Sequence, residues 1–353
     1  MRSADYSSYD DALDELAPYG IELNNSNFNH APMVAEALCA LGHPEAVTPW
    51  VERYRERMQL RSAAGEPIRG DGWQDALGQR ERFADWALFF RNELEEAAWS
   101  IVLDRWVARL APGFCAAATH GVIRLGHAVR AMAEAESPSR RRELADALAS
   151  WAATWQRLPE SNTMPLATLP LTEAITRVPL VPPERRLTGN IVSGLGVLGD
   201  FPEFLPVIGW LDSNGPIAPQ IAEMTELFTR VALANVRGIP TAIAFIHAVT
   251  SPAALGNIVP HVREATARSA LRYAWQTGCG LYACYGSGTA FAEPVVRCDK
   301  DQQQLTDQAI ANGDEHVIKF TEACLSRHAA APSPVYLVAA DHIAGTIRRQ
   351  RPE

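Results

Sequence analysis

Apolar residues recur at helical spacing along most of the chain. From about residue 30 to 155 the period is 3.6 throughout, with none of the alternation that marks a strand. Ala31–Leu41 places Val34, Leu38 and Leu41 on one face, and Pro44 with Glu45 opens a second helix through Trp50, Tyr54 and Met58. A longer pattern from about Arg80 to Leu110 aligns Phe83, Ala87, Phe90, Leu94, Ala97 and Ile101 until Pro112-Gly113 breaks it. Phe114–Met132 reads as the next helix, and Ser137-Pro138 opens another that carries Leu144, Leu148, Trp151 and Trp155. Helical texture returns in Ile221–Val236, Pro240–Val249 and Val259–Thr277, then in Asp314–His328 and Pro334–Arg349. The predicted fold class is all-α, a single large multi-helix domain over residues 1–353.

Two stretches interrupt this texture. Residues 157–220 hold ten of the 24 prolines, which excludes regular helix and predicts an irregular insertion or lid. Gly278–Asp301 is the second interruption. Gly194, Gly196 and Gly199 match a dinucleotide-binding GxGxxG, but Pro202 and Pro206 follow closely and leave no room for the helix that would hold a pyrophosphate. NADPH therefore has no credible motif.

Composition narrows the partners. The chain is 47% hydrophobic and 21% charged with a net charge of −9, which fits a folded protein and excludes an electrostatic grip on nucleic acid or an anionic membrane. No uninterrupted apolar stretch reaches the roughly 18 residues of a membrane span, and the polar segment Met1–Asp14 does not read as a signal peptide. The expected location is cytoplasmic. Cys39, Cys115, Cys279, Cys284, Cys298 and Cys324 form no CxxC pair and read as reduced packing residues.

Only two of the 32 basic residues, Lys300 and Lys319, are lysine. Against an arginine background, a surviving lysine is a candidate for chemistry that needs a primary amine, because arginine stays protonated. Lys300 lies in a polar run; Lys319 lies in Val-Ile-Lys-Phe and is expected to be buried.

None of the nine histidines follows a glutamate by three residues, so the pattern of a carboxylate-bridged di-iron bundle is missing. Instead, histidines stand on apolar helix faces. His247 sits in the uniformly apolar Ile243–Val249, where the ordinary alternative is a core histidine bonded to a carbonyl. His120, Arg124 and His127 share one helical stripe, with His120 and His127 about 10.5 Å apart along the axis. That separation favours His120 as a ligand, with His127 behind it or in a substrate pocket and Arg124 as a clamp for an anionic group; an ion pair is the plainer role for Arg124. His30 follows a run of turn and cap residues, at the start of a helix with Pro32 in its first turn. His316 and Lys319 lie three apart on a helix that Asp314 would cap, so both reach one point. A neutral Lys319 could add carbon dioxide to become an anionic oxygen ligand, whereas a snorkelling surface lysine is the alternative.

Asn29–Met33 with Ala37-Leu38 and Leu41-Gly42, the block His120–Ala128, Phe245–Val249 and Asp314–Lys319 together resemble the questin oxidase-like family, over about residues 20 to 330. That family includes fungal enzymes that oxidatively open anthraquinone and related polyketide rings. The resemblance implies a mononuclear nonheme iron, Fe(II), held by His30, His120, His247, His316 and a carboxylated Lys319, with dioxygen as co-substrate. Fungal relatives carry a histidine where this chain has Arg124 and a tyrosine where it has His127, so the resemblance also implies a different pocket here.

The sequence thus predicts an iron-dependent oxygenase acting on a small aromatic, quinone-like or polyketide-derived substrate. An NADPH-dependent Baeyer–Villiger monooxygenase and a non-catalytic helical protein that binds a small ligand are the alternatives. The oligomeric state is not legible.

Overall fold

A computed structural model describes residues 5–160, 168–212, 214–292 and 297–348. Parts of four sequence readings lie outside these residues: the N-terminal four positions, 161–167 and 213 of the Pro-rich stretch, 293–296 of the second interruption, and the last residue of the final predicted helix. The fold is all-α as the periodicity requires. In chain order it comprises α1 (Ser7–Leu16), β1 (Tyr19–Leu23), α2 (Ala31–Ala40), α3 (Val47–Arg55), β2 (Met58–Leu60), α4 (Phe83–Glu96), α5 (Trp99–Leu110), α6 (His120–Glu134) and α7 (Pro138–Ala153). It continues with α8 (Leu171–Thr176), α9 (Ile191–Gly196), α10 (Ile217–Asn235), α11 (Ile239–Ile258), α12 (Glu264–Tyr285), α13 (Gln302–Asn312), α14 (Glu315–Ala330) and α15 (Pro334–Thr346).

Several boundaries differ from the pattern. Met58 does not continue α3; it opens β2, which pairs antiparallel with β1 in a two-stranded sheet that the helical reading missed. The long pattern from Arg80 is two helices. Ala97 turns extended, and Glu93 of α4 binds Arg105 at 2.7 Å and Trp106 at 3.1 Å on α5, closing the pair without any Gly or Pro at the break. The helix expected from Phe114 starts only at His120. Conversely, α12 runs through Gly278 and Gly280 to Tyr285, because a side chain at Gly278 would strike the Phe228 ring and its absence lets α10 and α12 close up.

α11 forms the centre, packed against α6, α10, α12 and α14. With its short continuation to His261 it is long and apolar enough to cross a membrane, contrary to the sequence reading, but 78% of its apolar window is buried inside the protein. A hydrophobic helix enclosed in this way is a core helix. α2 packs on α6 and α14, both of which also pack on α11. The Gly194–Gly199 segment is helical and no strand leads into it, so the dinucleotide fingerprint lacks its structural context. The six cysteines are free thiols.

Candidate metal centre

Each histidine is delivered by a specific local device. His30 is the N-cap of α2, and its position is fixed from both sides. Asn29 donates to the Gly20 carbonyl at 2.9 Å and accepts from the Ala31 amide at 3.0 Å, while the His30 amide donates to the Tyr54 hydroxyl at 3.2 Å. Phe28 pairs its backbone with Glu22 of β1 and stacks on the His120 ring at 4.7 Å.

His120 stands at the end of a strained turn. Ala117, Ala118 and Thr119 adopt φ values of 46°, 58° and 73°, the left-handed region, in succession. Such a conformation costs a non-glycine residue roughly 1–2 kcal/mol, and three in a row persist only where the surrounding packing enforces them. The turn brings the Ala117 carbonyl onto Nδ1 of His120 and starts α6 at His120 itself.

The rings converge. Nε2 of His120 lies 3.0 Å from Nε2 of His30 and 3.2 Å from Nε2 of His247. His316, in the first turn of α14, has its ring centroid 4.6 Å from that of His30 and 5.7 Å from that of His247. His30, His120 and His316 each offer a nitrogen within 4.8 Å of the others, a spacing that a metal ion can bridge. Lys319, one turn along α14, is 2% exposed and places Nζ 2.8 Å from Nδ1 of His30.

Tautomers decide what this arrangement needs. A carbonyl oxygen only accepts, so Nδ1 of His120 donates to Ala117, and Nδ1 of His247 donates to Ile243 at 2.7 Å. Burial, reinforced by neighbouring basic groups, holds the pKa values of His30, His120 and His247 well below the ordinary imidazole value, so these rings are neutral. In neutral rings with Nδ1 protonated, both Nε2 atoms are lone pairs, and they face each other across 3.2 Å. Two acceptors at that distance repel unless a cation lies between them. Ligand histidines anchored through the other nitrogen to a carbonyl are the usual support of a metal site. His30 fits the same scheme when its Nδ1 carries the proton and donates it to a neutral Lys319 amine at 2.8 Å, which leaves its Nε2 lone pair facing His120. Burial also lowers the Lys319 pKa to about 7, against the opposing pull of Glu315 and Asp314.

A cavity of about 360 Å³ opens onto this cluster, a volume within the range of small-molecule sites. Its walls include Phe28, Ile191, Val192, Pro240 and Ile243, and beside the histidines Ser26, Asn27, Asn190, Tyr285, Arg80 and Glu315 are polar. Gly189 to Val192 belong to the Pro-rich stretch, which here forms one wall of the cavity. These lining residues were not singled out from the sequence. Phe28 had a signal in its place two residues before His30; Arg80, Asn190 and Tyr285 had none, because only the tertiary fold brings them here.

Two sequence-predicted residues are placed elsewhere. Arg124 forms a bidentate pair with Glu143 of α7, both bonds 2.7 Å, and lines a different, small cavity. Arg124 and its partner are buried together in an ion pair, the plainer of its two expected roles, and Arg124 does not border the large cavity. His127 does not border the large cavity either. Its Nδ1 bonds Glu36 at 2.6 Å, and Arg130 joins Glu36 to Glu322. His127 and Lys319 share a cavity of about 20 Å³ on the far side of the cluster.

Comparison with known families bears on the same residues. Residues 27–177 match the family described as Questin oxidase-like. Over that stretch the chain is similar to this family. No curated protein matches it significantly. The family's description is that of an oxidase. The questin oxidase-like segment supplies His30 and His120; His247, His316 and Lys319 lie beyond it in sequence, and the fold returns them to the same point.

Proposed function

We propose that this questin oxidase-like chain is a nonheme iron-dependent oxygenase that cleaves a carbon–carbon bond of a small aromatic, quinone-like substrate. His30, His120, His247 and His316 would hold the iron, and Lys319, carboxylated, would complete the donor set. The observation that carries this reading is the pair of Nε2 lone pairs of His120 and His247 opposed at 3.2 Å. Nitrogen-rich donor sets suit iron, copper or zinc and not magnesium or calcium. A bound iron would supply the one-electron chemistry that lets dioxygen react with a closed-shell aromatic.

The protein's own contribution is placement and exclusion. The backbone carbonyls of Ala117 and Ile243 orient two rings and raise their basicity. Lys319 is enclosed among Met33, His30 and α14, where burial favours the neutral amine. Carboxylation forms one N–C bond between that neutral amine and carbon dioxide and releases one proton, turning an uncharged neighbour into an anionic ligand. Phe28, Ile243 and Pro240 give the cavity an apolar wall against which a flat ring can lie, limiting access of bulk water to the reacting end.

Elemental analysis of the purified protein tests this reading. The expected result is close to one iron per chain, lost in His247→Ala and reduced in Lys319→Ala while both variants stay folded. Metal-free protein that still turns over a quinone substrate with NADPH would favour the cofactor-dependent alternative.

A further inference from the structure

Arg124 leaves the anion clamp without a candidate, and the cavity walls supply another. Among the described residues lining the large cavity, Arg80 is the only arginine or lysine. The wall carries one carboxylate, Glu315, and Arg57 already pairs with it at 3.3 Å. Arg80 is bonded through one terminal nitrogen to Glu22 at 2.7 Å, and no other side-chain bond of its guanidinium occurs among the described residues. It also lines a second, outer groove of about 380 Å³ together with Glu22, so its head stands where the groove and the cavity adjoin.

The position of Arg80 is tied to the histidines. Glu22 holds its guanidinium, the Glu22 backbone bridges to Phe28, and Phe28 stacks on His120. A planar fork with free N–H groups, anchored from behind by a carboxylate and facing an apolar-walled cavity, matches a planar anion such as a carboxylate or an ionised phenol. We infer that Arg80 determines substrate specificity by anchoring an acidic group of the aromatic substrate, leaving the opposite end of the ring system at the histidines. This inference rests on the aromatic-cavity reading above and narrows it to anionic aromatics.

The test compares two ring-matched probes, anthraquinone-2-carboxylate and 2-methylanthraquinone, titrated into the purified protein with tryptophan fluorescence as the readout. Wild type is expected to bind the carboxylate at least about tenfold more tightly, the scale of a charge-assisted hydrogen-bond pair. Arg80→Met should abolish that preference and leave the affinity for the neutral probe unchanged. Glu22→Gln, which frees Arg80 from its carboxylate, should tighten binding of the anionic probe alone, and it decides the matter if Arg80→Met fails to fold. Equal affinities in wild type, or variants that change both probes in parallel, would overturn the role of Arg80 and leave the aromatic cavity standing. Binding of neither probe would overturn the cavity reading and this inference together.

Discussion

Two buried polar clusters lie back to back in this protein, built by the same helices, and they differ in one respect. α2, α6 and α14 give His30, His120 and His316 with Lys319 to one cluster; they give Glu36, His127 with Arg130, and Glu322 to the other. In the second cluster every charge is answered: Glu36 accepts from Tyr6 at 2.6 Å, from His127 and from Arg130, and Arg130 also binds Glu322. In the first, bases face bases. Buried polar groups are normally satisfied, so a closed network reads as structure and an open one as a site awaiting a charge. The contrast teaches that burial of histidine alone says little; the direction of its lone pairs is what separates the two clusters.

The largest expected effect comes from breaking the closed cluster. Glu36→Ala would remove the carboxylate shared by Tyr6, His127 and Arg130, leaving Arg130 with Glu322 alone, and should cost about 3–5 kcal/mol, as for breaking a buried ion pair. Denaturant unfolding measures it. The equivalent cut in the open cluster should behave in the opposite way: in metal-free protein His247→Gln should change stability by less than about 1 kcal/mol, since the bond it removes is one to a local carbonyl. The same variant should lose the metal-induced rise in stability, about 4 kcal/mol for a metal at a thousandfold its Kd. A large loss in apo His247→Gln would erase the distinction between the clusters.

The clusters should also part company with pH. Arg130 and His127 overcome the burial of Glu36 and hold its carboxyl below the usual range. A carboxylate so depressed contributes stability that is complete above its unfolded pKa of 4.5 and is lost as pH falls toward the folded value. Glu36→Gln should remove that acid-side slope. Lys319 works on the alkaline side: with a folded pKa of about 7 against 10.5, the unfolded amine holds more protons between those values. Metal-free protein should therefore gain stability as pH rises from about 7 to about 10.5, and Lys319→Met should flatten that limb. Urea midpoints across the pH range would show both.

The smallest effect sharpens the positioning of His120. Ala118→Gly, at φ 58°, relieves a left-handed strain of roughly 1 kcal/mol and should raise the thermal midpoint by about 1–2 °C in a chain of this length. If the strain holds His120 in place, the same variant should bind metal more weakly despite its greater stability.

Much of this was legible in the sequence. The helical period, the caps at Ser137 and Asp314, and the isolation of Lys319 in an apolar run all follow from local chemistry, and the structure has Ser137 and Asp314 capping α7 and α14. Local reading failed where tertiary contacts decide. Phe114–Thr119 has helical periodicity but its last three residues, Ala117–Thr119, are held in a left-handed turn, and Gly278 looks like a helix stop but is a seat for Phe228. Arg124 and His127 share the stripe of His120 as predicted, yet that stripe is buried along its length and each residue meets a different helix, Glu143 on α7 and Glu36 on α2. Arg80, some 40 positions from the nearest ligand in sequence, carried no local signal at all.

The central claim is that the opposed imidazoles share a transition-metal ion. X-ray absorption of iron-loaded protein tests it directly. The account predicts a nitrogen and oxygen shell with the multiple scattering of several imidazoles, losing part of that scattering in His247→Ala. An oxygen-only shell without imidazole scattering, or a spectrum that His247→Ala leaves unchanged, would contradict it.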